Sequence, residues 1–189
     1  MRLQAARPVA ALGRRGAAYV ADSLVVGVAY LALAVFFDAV FGPLVAASPD
    51  GTAIVVVAVD PLRVILELTA TLLVDALYFA GSWSLWGATL AQRALRLRVR
   101  MAEGPPPTPA APDALPIEVA WRRWAVLAVL PIAVGSLGAS GALDLGALVI
   151  VNGTWFLALL ISAAVDPLRR GLHDRLAGTL VVPAPDRRA

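Results

Sequence analysis

RRGAAYVADSLVVGVAYLALAVFFDAVFGP, at residues 14–43, sets two arginines ahead of an apolar run over 17–41 and closes on Gly42-Pro43. A helix needs about 20 apolar residues to cross the hydrocarbon core of a bilayer, and this run supplies them. Asp22 and Asp38 lie inside it and no small-residue cleavage site follows, so it reads as an uncleaved signal-anchor helix. Ser48-Pro49-Asp50-Gly51 predicts a turn, since proline presets the bend and glycine takes the unusual dihedral. Residues 52–59 are apolar and β-branched but too few to span, which suggests an interfacial or re-entrant segment.

Three further runs follow, at 62–83, 121–137 and 145–165. Asp60-Pro61 is a helix start, with aspartate capping free N–H groups and proline at the first position. Trp83 and Trp86 at one exit, and Trp121 and Trp124 at the next entry, suit a membrane–water boundary. Pro131 predicts a kink, and Asp166-Pro167 ends the last run. Residues 101–116 are proline-rich and read as a mobile cytoplasmic linker.

Every basic residue is an arginine, and fifteen of the sixteen fall on one side of the four runs, with Arg63 on the other. Cytoplasmic loops of membrane proteins carry such an excess. The expectation is one all-α membrane domain over 1–189, with four transmembrane helices and both termini cytoplasmic. Composition agrees. The chain is 60% hydrophobic, with mean hydropathy +0.79. Its 15% charged residues compare with about 25% in ordinary globular domains. Clusters of arginine beside apolar runs carry topology information, so no nucleic-acid partner is expected despite the net charge of +3. Without cysteine there is no thiol chemistry, and His173 is the only histidine. No metal, cofactor, catalytic residue or enzymatic activity is expected.

Four stretches now resemble one family. RRGAAYVADS at 14–23 looks like the arginine-then-aspartate opening of RDD-family membrane proteins. LYFAGSWSLWGATLAQRALRLRV at 77–99 resembles the family's tyrosine–phenylalanine exit from the second span, its Gly-x-Thr-x-Gly-Lys-Arg stretch and a Leu-Arg-Val strand. WRR at 121–123 resembles its arginine-bearing entry to the next span. LRRGLHDRLAGTLVV at 168–182 resembles its closing Arg-x-x-x-His-Asp-x-x-Ala-Gly-Thr motif. The resemblance places the naming arginine and aspartates at Arg15, Asp22 and Asp174. It implies a bacterial membrane protein, with transport proposed for members. Ala91 and Gln92 depart from it, standing where the family often has glycine and a basic residue. The resemblance also implies a short cytoplasmic strand pair, from 95–101 and 178–182.

A carboxylate about 9 Å inside a membrane helix is costly, so Asp22 should face protein and find a partner. Arg15 lies seven residues earlier, on the same face but too far for an ideal contact. The expectation is a cytoplasmic-side polar cluster of Arg15, Asp22, Arg93, His173 and Asp174, in which Arg15 or Arg93 pairs with Asp22 and Asp174 takes another base. Tyr19 could reach Asp22 at i,i+3 spacing. A second stripe on the 62–83 run joins Arg63, Glu67, Thr71 and Tyr78, with Asp75 close by. Asp75 and Asp22 fall at similar depth and could share a proton, so Asp22, Asp75, Tyr78 and Glu67 are candidates for an ion or proton path. The alternative is that Asp75 is protonated and hydrogen-bonds a Ser, Thr or Tyr. Leu172, Leu176 and Leu180 suggest an amphipathic segment at the cytoplasmic surface.

Two functional classes stay open. One is a small ion or solute transport module using buried acids, working as a homo-oligomer. The other is a non-transporting membrane component that docks a cytoplasmic or membrane protein through its cytoplasmic face. The first requires a buried acid at a cavity; the second requires sealed helices.

Overall fold

A computed structural model of the chain describes residues 9–43, 45–47, 54–56, 60–103, 114–139 and 143–184. The predicted turn at 48–51, most of the proline-rich linker, and Arg2, Arg7, Arg187 and Arg188 lie outside the described residues.

Helix α1 (Leu12–Phe41) begins ahead of the apolar run and takes in Arg14 and Arg15. It stops at Gly42, whose φ of 83° is costly for any residue with a Cβ. Strands β1 (Val45–Ala47) and β2 (Ile54–Val56) pair antiparallel, so the middle of the 52–59 stretch is half of a short hairpin. Helix α2 (Pro61–Trp86) starts as predicted, with the Asp60 carboxylate accepting the Leu62 N–H at 2.8 Å and Pro61 in the first turn. Within α2, Leu77–Gly81 form a π-helical segment.

Helix α3 (Leu90–Ala94) is opened by a capping box. The Thr89 hydroxyl accepts the Gln92 N–H at 3.3 Å, and the Gln92 side chain accepts the Thr89 N–H at 3.0 Å. Strand β3 (Leu97–Met101) follows. Helix α4 covers residues 117–139 and carries a second π segment, Ala125–Val129, directly ahead of Pro131. Helix α5 (Leu145–Val165) has the predicted bounds, with Asp144 accepting the Ala147 N–H at 2.8 Å. The chain closes through α6 (Leu172–Ala177) and β4 (Thr179–Pro183).

Strands β3 and β4 pair antiparallel, Arg98 opposite Val182 and Arg100 opposite Leu180, as the resemblance implied. This corrects the amphipathic reading of Leu172, Leu176 and Leu180. Gly178, with φ of 68°, turns the chain at the end of α6, and Leu180 is a buried strand residue.

Among the described residues, three helices, α1, α2 and α5, are long and apolar enough to cross a membrane. The most apolar windows of α1 and α5 are only 11% buried inside the protein, leaving Leu24, Val28, Leu31 and Val35, and Val149, Ile150, Leu160 and Val165, on the outside. Side chains this apolar and this continuous require a lipid neighbour. Helix α4 falls short by composition, since Glu118, Arg122 and Arg123 occupy its first turns. The arginine-rich end is the best packed. Trp83, Leu97, Val99, Ala120, Ala177 and Val181 are buried there, and the β3–β4 sheet caps the helices.

Two tryptophans depart from the boundary role. Trp86 and Trp121 are 45% and 41% exposed, as expected. Trp83 and Trp124 are buried because each indole N–H has a buried acceptor, Gln92 Oε1 at 3.0 Å and Asp75 Oδ2 at 2.7 Å.

Candidate functional site

Among the described residues, three buried aspartates, Asp174, Asp22 and Asp75, each centre a group of polar contacts. The first surrounds Asp174, at the N-terminal turn of α6. Its side chain is fully buried and takes two guanidinium groups, Arg15 through Nη2 at 2.5 Å and Arg123 through Nη1. The Gly171 N–H donates to the same carboxylate at 3.2 Å. Arg123 also donates to the Thr179 hydroxyl at 2.8 Å and lies 4.5 Å over the Trp83 ring. Arg15 reaches onward to the carbonyl of Arg169, a residue held at φ of 51°. A buried arginine that loses its carboxylate is strongly destabilising, so this centre ties α1, α4, α6 and β4 together.

Burial would raise the Asp174 carboxyl, but the positive charges of Arg123, His173 and Arg15 outweigh it and hold the group at about 2. His173 moves down to about 4. Burial disfavours its imidazolium and the neighbouring Arg123 and Arg15 oppose it, while Asp174, 3.6 Å from Nε2, only partly compensates. Its Nδ1 is buried without a hydrogen-bond partner. The folded protein therefore refuses a proton that the unfolded chain accepts at about 6.5. Stability is complete above pH 6.5 and falls as pH drops towards 4. Between pH 7 and pH 5 the loss should be about 2 kcal/mol, read as a lowered melting temperature in detergent. His173→Gln should flatten that slope; an unchanged slope would remove His173 as its source.

The second centre is Asp22, on α1. Its carboxylate accepts the Tyr78 hydroxyl at 2.5 Å, the Thr89 hydroxyl at 2.6 Å and the Ala91 N–H at 3.2 Å. This corrects the expected pairings. Arg15 goes to Asp174, and the Arg93 guanidinium packs 5.4 Å over the Trp86 ring. Tyr19 meets Phe156 edge-on at 5.8 Å. Three neutral donors satisfy Asp22 without a base, and the capping box orients one of them. Gln92 is where the resemblance led one to expect a base. Its amide oxygen instead joins Trp83 and Thr89, linking the Asp22 centre to the Trp83–Arg123 stack.

The third centre is Asp75, on α2, 4% exposed. Tyr30 O–H donates to one oxygen at 2.6 Å and Trp124 Nε1–H to the other at 2.7 Å. Asp22 and Asp75 thus hold different donors and do not share a proton directly. Tyr78 leaves the predicted stripe: it lies inside the π segment Leu77–Gly81 and donates to Asp22, while Glu67, Thr71 and Asp75 stay together. Glu67 lies 3.5 Å from Arg63, as its i,i+4 spacing suggested. Arg63 is buried, however, and also pairs with Asp38.

Two cavities accompany these centres. One of about 440 Å³ is lined by Tyr19, Tyr30, Glu67, Thr71 and Asp75 among apolar neighbours. The other, of about 290 Å³ at the arginine-rich end, is lined by Arg15, Asp22, Gln92, Arg123 and His173.

The model of the RDD family matches residues 9–178, nearly the whole chain. The chain belongs to the RDD family. No curated protein and no solved structure matches it. The RDD match and the three apolar helices together identify a membrane protein. In this RDD protein, the three residues carried over from the family motif lie at one end, the two aspartates buried and Arg15 partly exposed, and they fall in two centres. Arg15 and Asp174 bond each other, and Asp22 stands apart from both. Five participants escaped sequence reasoning as site residues: Tyr30, Thr89, Arg123, Trp124 and Thr179. Thr89-x-x-Gln92 was legible as a capping box. Tyr30 extends the α1 face of Asp22 and Arg123 sits in the WRR stretch, while Trp124 and Thr179 gave no local sign of their partners.

Proposed function

We propose that this RDD protein is a small ion or solute transport module of the bacterial inner membrane. It has four spans, both termini cytoplasmic, and no enzymatic activity. Helix α4 serves as the third span, with Arg122 and Arg123 at its cytoplasmic end. The arginine distribution supports this orientation.

The observation that carries the reading is the cavity of about 440 Å³ with Asp75 in its wall. An acid at membrane depth is costly and is retained where it handles charge. The cavity size falls in the range of small-molecule sites. The docking reading expects sealed helices, and a cleft of this size with Asp75 in its wall favours transport over it. Assembly as a homo-oligomer fits the small polar volume that four helices enclose.

The test is flux by purified protein in liposomes under imposed sodium, potassium and proton gradients. Gradient-dependent flux is expected from the wild type, and Asp75→Asn should fall to the rate of protein-free liposomes. Asn keeps only one acceptor for two donors, at a cost of about 1–3 kcal/mol, so its melting temperature is measured alongside. A folded wild-type sample without gradient-dependent flux would end the transport reading.

A further inference from the structure

The two cavities share four lining residues: Tyr19, Phe79, Leu127 and Phe156. Each long helix contributes one of them, from α1, α2, α4 and α5 respectively. The order along the helices shows how they lie. On α1, Leu12, Arg15 and Asp22 face the smaller cavity, Ser23 to Ala34 face the larger, and Tyr19 faces both. On α4, Arg123 faces the smaller, Pro131 to Ser136 the larger, and Leu127 both. The cavities therefore follow one another along the helix axes, with these four side chains between them.

A second observation, independent of the cavities, falls on the same residues. Phe79 lies within the π segment Leu77–Gly81, and Leu127 within the π segment Ala125–Val129. Such segments are rare and concentrate at functional positions. Both of those described in this chain coincide with the partition. Tyr19 and Phe156 close it from the other two helices, ring centroids 5.8 Å apart and nearly edge-on. The buried acids are divided by it. Asp75 borders one chamber and Asp22 the other.

We infer that Tyr19, Phe79, Leu127 and Phe156 form a four-helix septum that gates passage between the Asp75 chamber and the arginine-lined chamber. The inference rests on the transport reading and supplies its barrier. Four apolar faces at a constriction exclude water and charge. Rotation of one ring joins the chambers without moving a helix.

The chain has no cysteine, so single cysteines report cleanly. Ser136→Cys places a thiol in the larger chamber, away from the septum, and Gly16→Cys places one at an exposed position in the smaller, where a Cβ meets open space. Oriented membrane vesicles are treated with a membrane-impermeant sulfonated maleimide on the arginine-rich face. Gly16→Cys should react readily and Ser136→Cys slowly. Adding Tyr19→Ala or Phe156→Ala should speed labelling of Ser136→Cys by about threefold to tenfold, the population change expected from losing one aromatic contact. Tyr19→Phe keeps the ring and should leave it slow. The two alanine variants act from different helices, so failure of one to accumulate leaves the other as the test. Equal labelling of both thiols behind an intact septum would overturn the inference, as would an unchanged Ser136→Cys rate in a folded alanine variant. Absent ion flux with the labelling difference intact would remove the transport reading and leave the barrier. Flux without any labelling difference would do the reverse.

Discussion

Asp174→Ala should cost about 3–5 kcal/mol, the range for removing one partner of a buried ion pair, and most of the protein should disappear from the membrane fraction. The side chain of Asp174 is fully buried and that of Arg123 is 2% exposed, so water cannot replace the lost carboxylate. Arg123 Nε already lacks a hydrogen-bond partner, and its Nη1 would keep only Thr179 among its present acceptors. Arg15 would lose its 2.5 Å contact but is partly exposed and can turn outward. The discriminating variant removes both charges. Arg123→Met with Asp174→Leu should recover much of the loss, because a paired apolar replacement leaves no orphaned ion. Membrane abundance and melting temperature in detergent read both. A single variant as stable as wild type would show that Asp174 is not the hub described. The wild type should also lose stability in acid. With the carboxyl held near 2, the Asp174 contribution is complete above pH 3.8 and vanishes as pH falls towards 2, below the window assigned to His173.

The second large effect is expected at Asp22. Asp22→Ala leaves the Tyr78 hydroxyl, the Thr89 hydroxyl and the Ala91 N–H without their acceptor. Each orphaned buried donor costs about 1–3 kcal/mol. The losses do not simply add, so the total should be near 3 kcal/mol or above, with membrane abundance falling accordingly. Asp22→Asn keeps the shape and one acceptor oxygen and should be milder. Tyr78→Phe removes one donor with its bond and should be milder still. This ordering, alanine worst and Tyr78→Phe least, belongs to a fold-locking carboxylate. If Asp22→Ala accumulates normally yet loses flux, Asp22 belongs to the transport path instead.

The helices and their ends were readable because they depend on local chemistry. Apolar length, Asp60-Pro61, Asp144, Gly42 and Asp166-Pro167 each act within a few residues of themselves. The pairing of β3 with β4 was readable only through family resemblance. What one chain could not reveal was which helix meets which. Arg15 and Asp22 share a face of α1 at seven-residue spacing, yet Arg15 reaches Asp174 and Asp22 reaches Thr89, choices made by distant segments. Tyr30, eight residues beyond Asp22, extends the same face and was a usable clue to a third polar position. The π segments were not readable, since neither LYFAG nor AVLAV departs from ordinary helical composition.

Arg98 is hydrogen-bonded across the sheet from Val182, and Ala10 donates its N–H to Val181 at 3.1 Å. Both far partners follow the last long helix in sequence, so neither contact can form until α5 has been made. The arginine-rich end is therefore fastened late, by a segment that the first helix has to await.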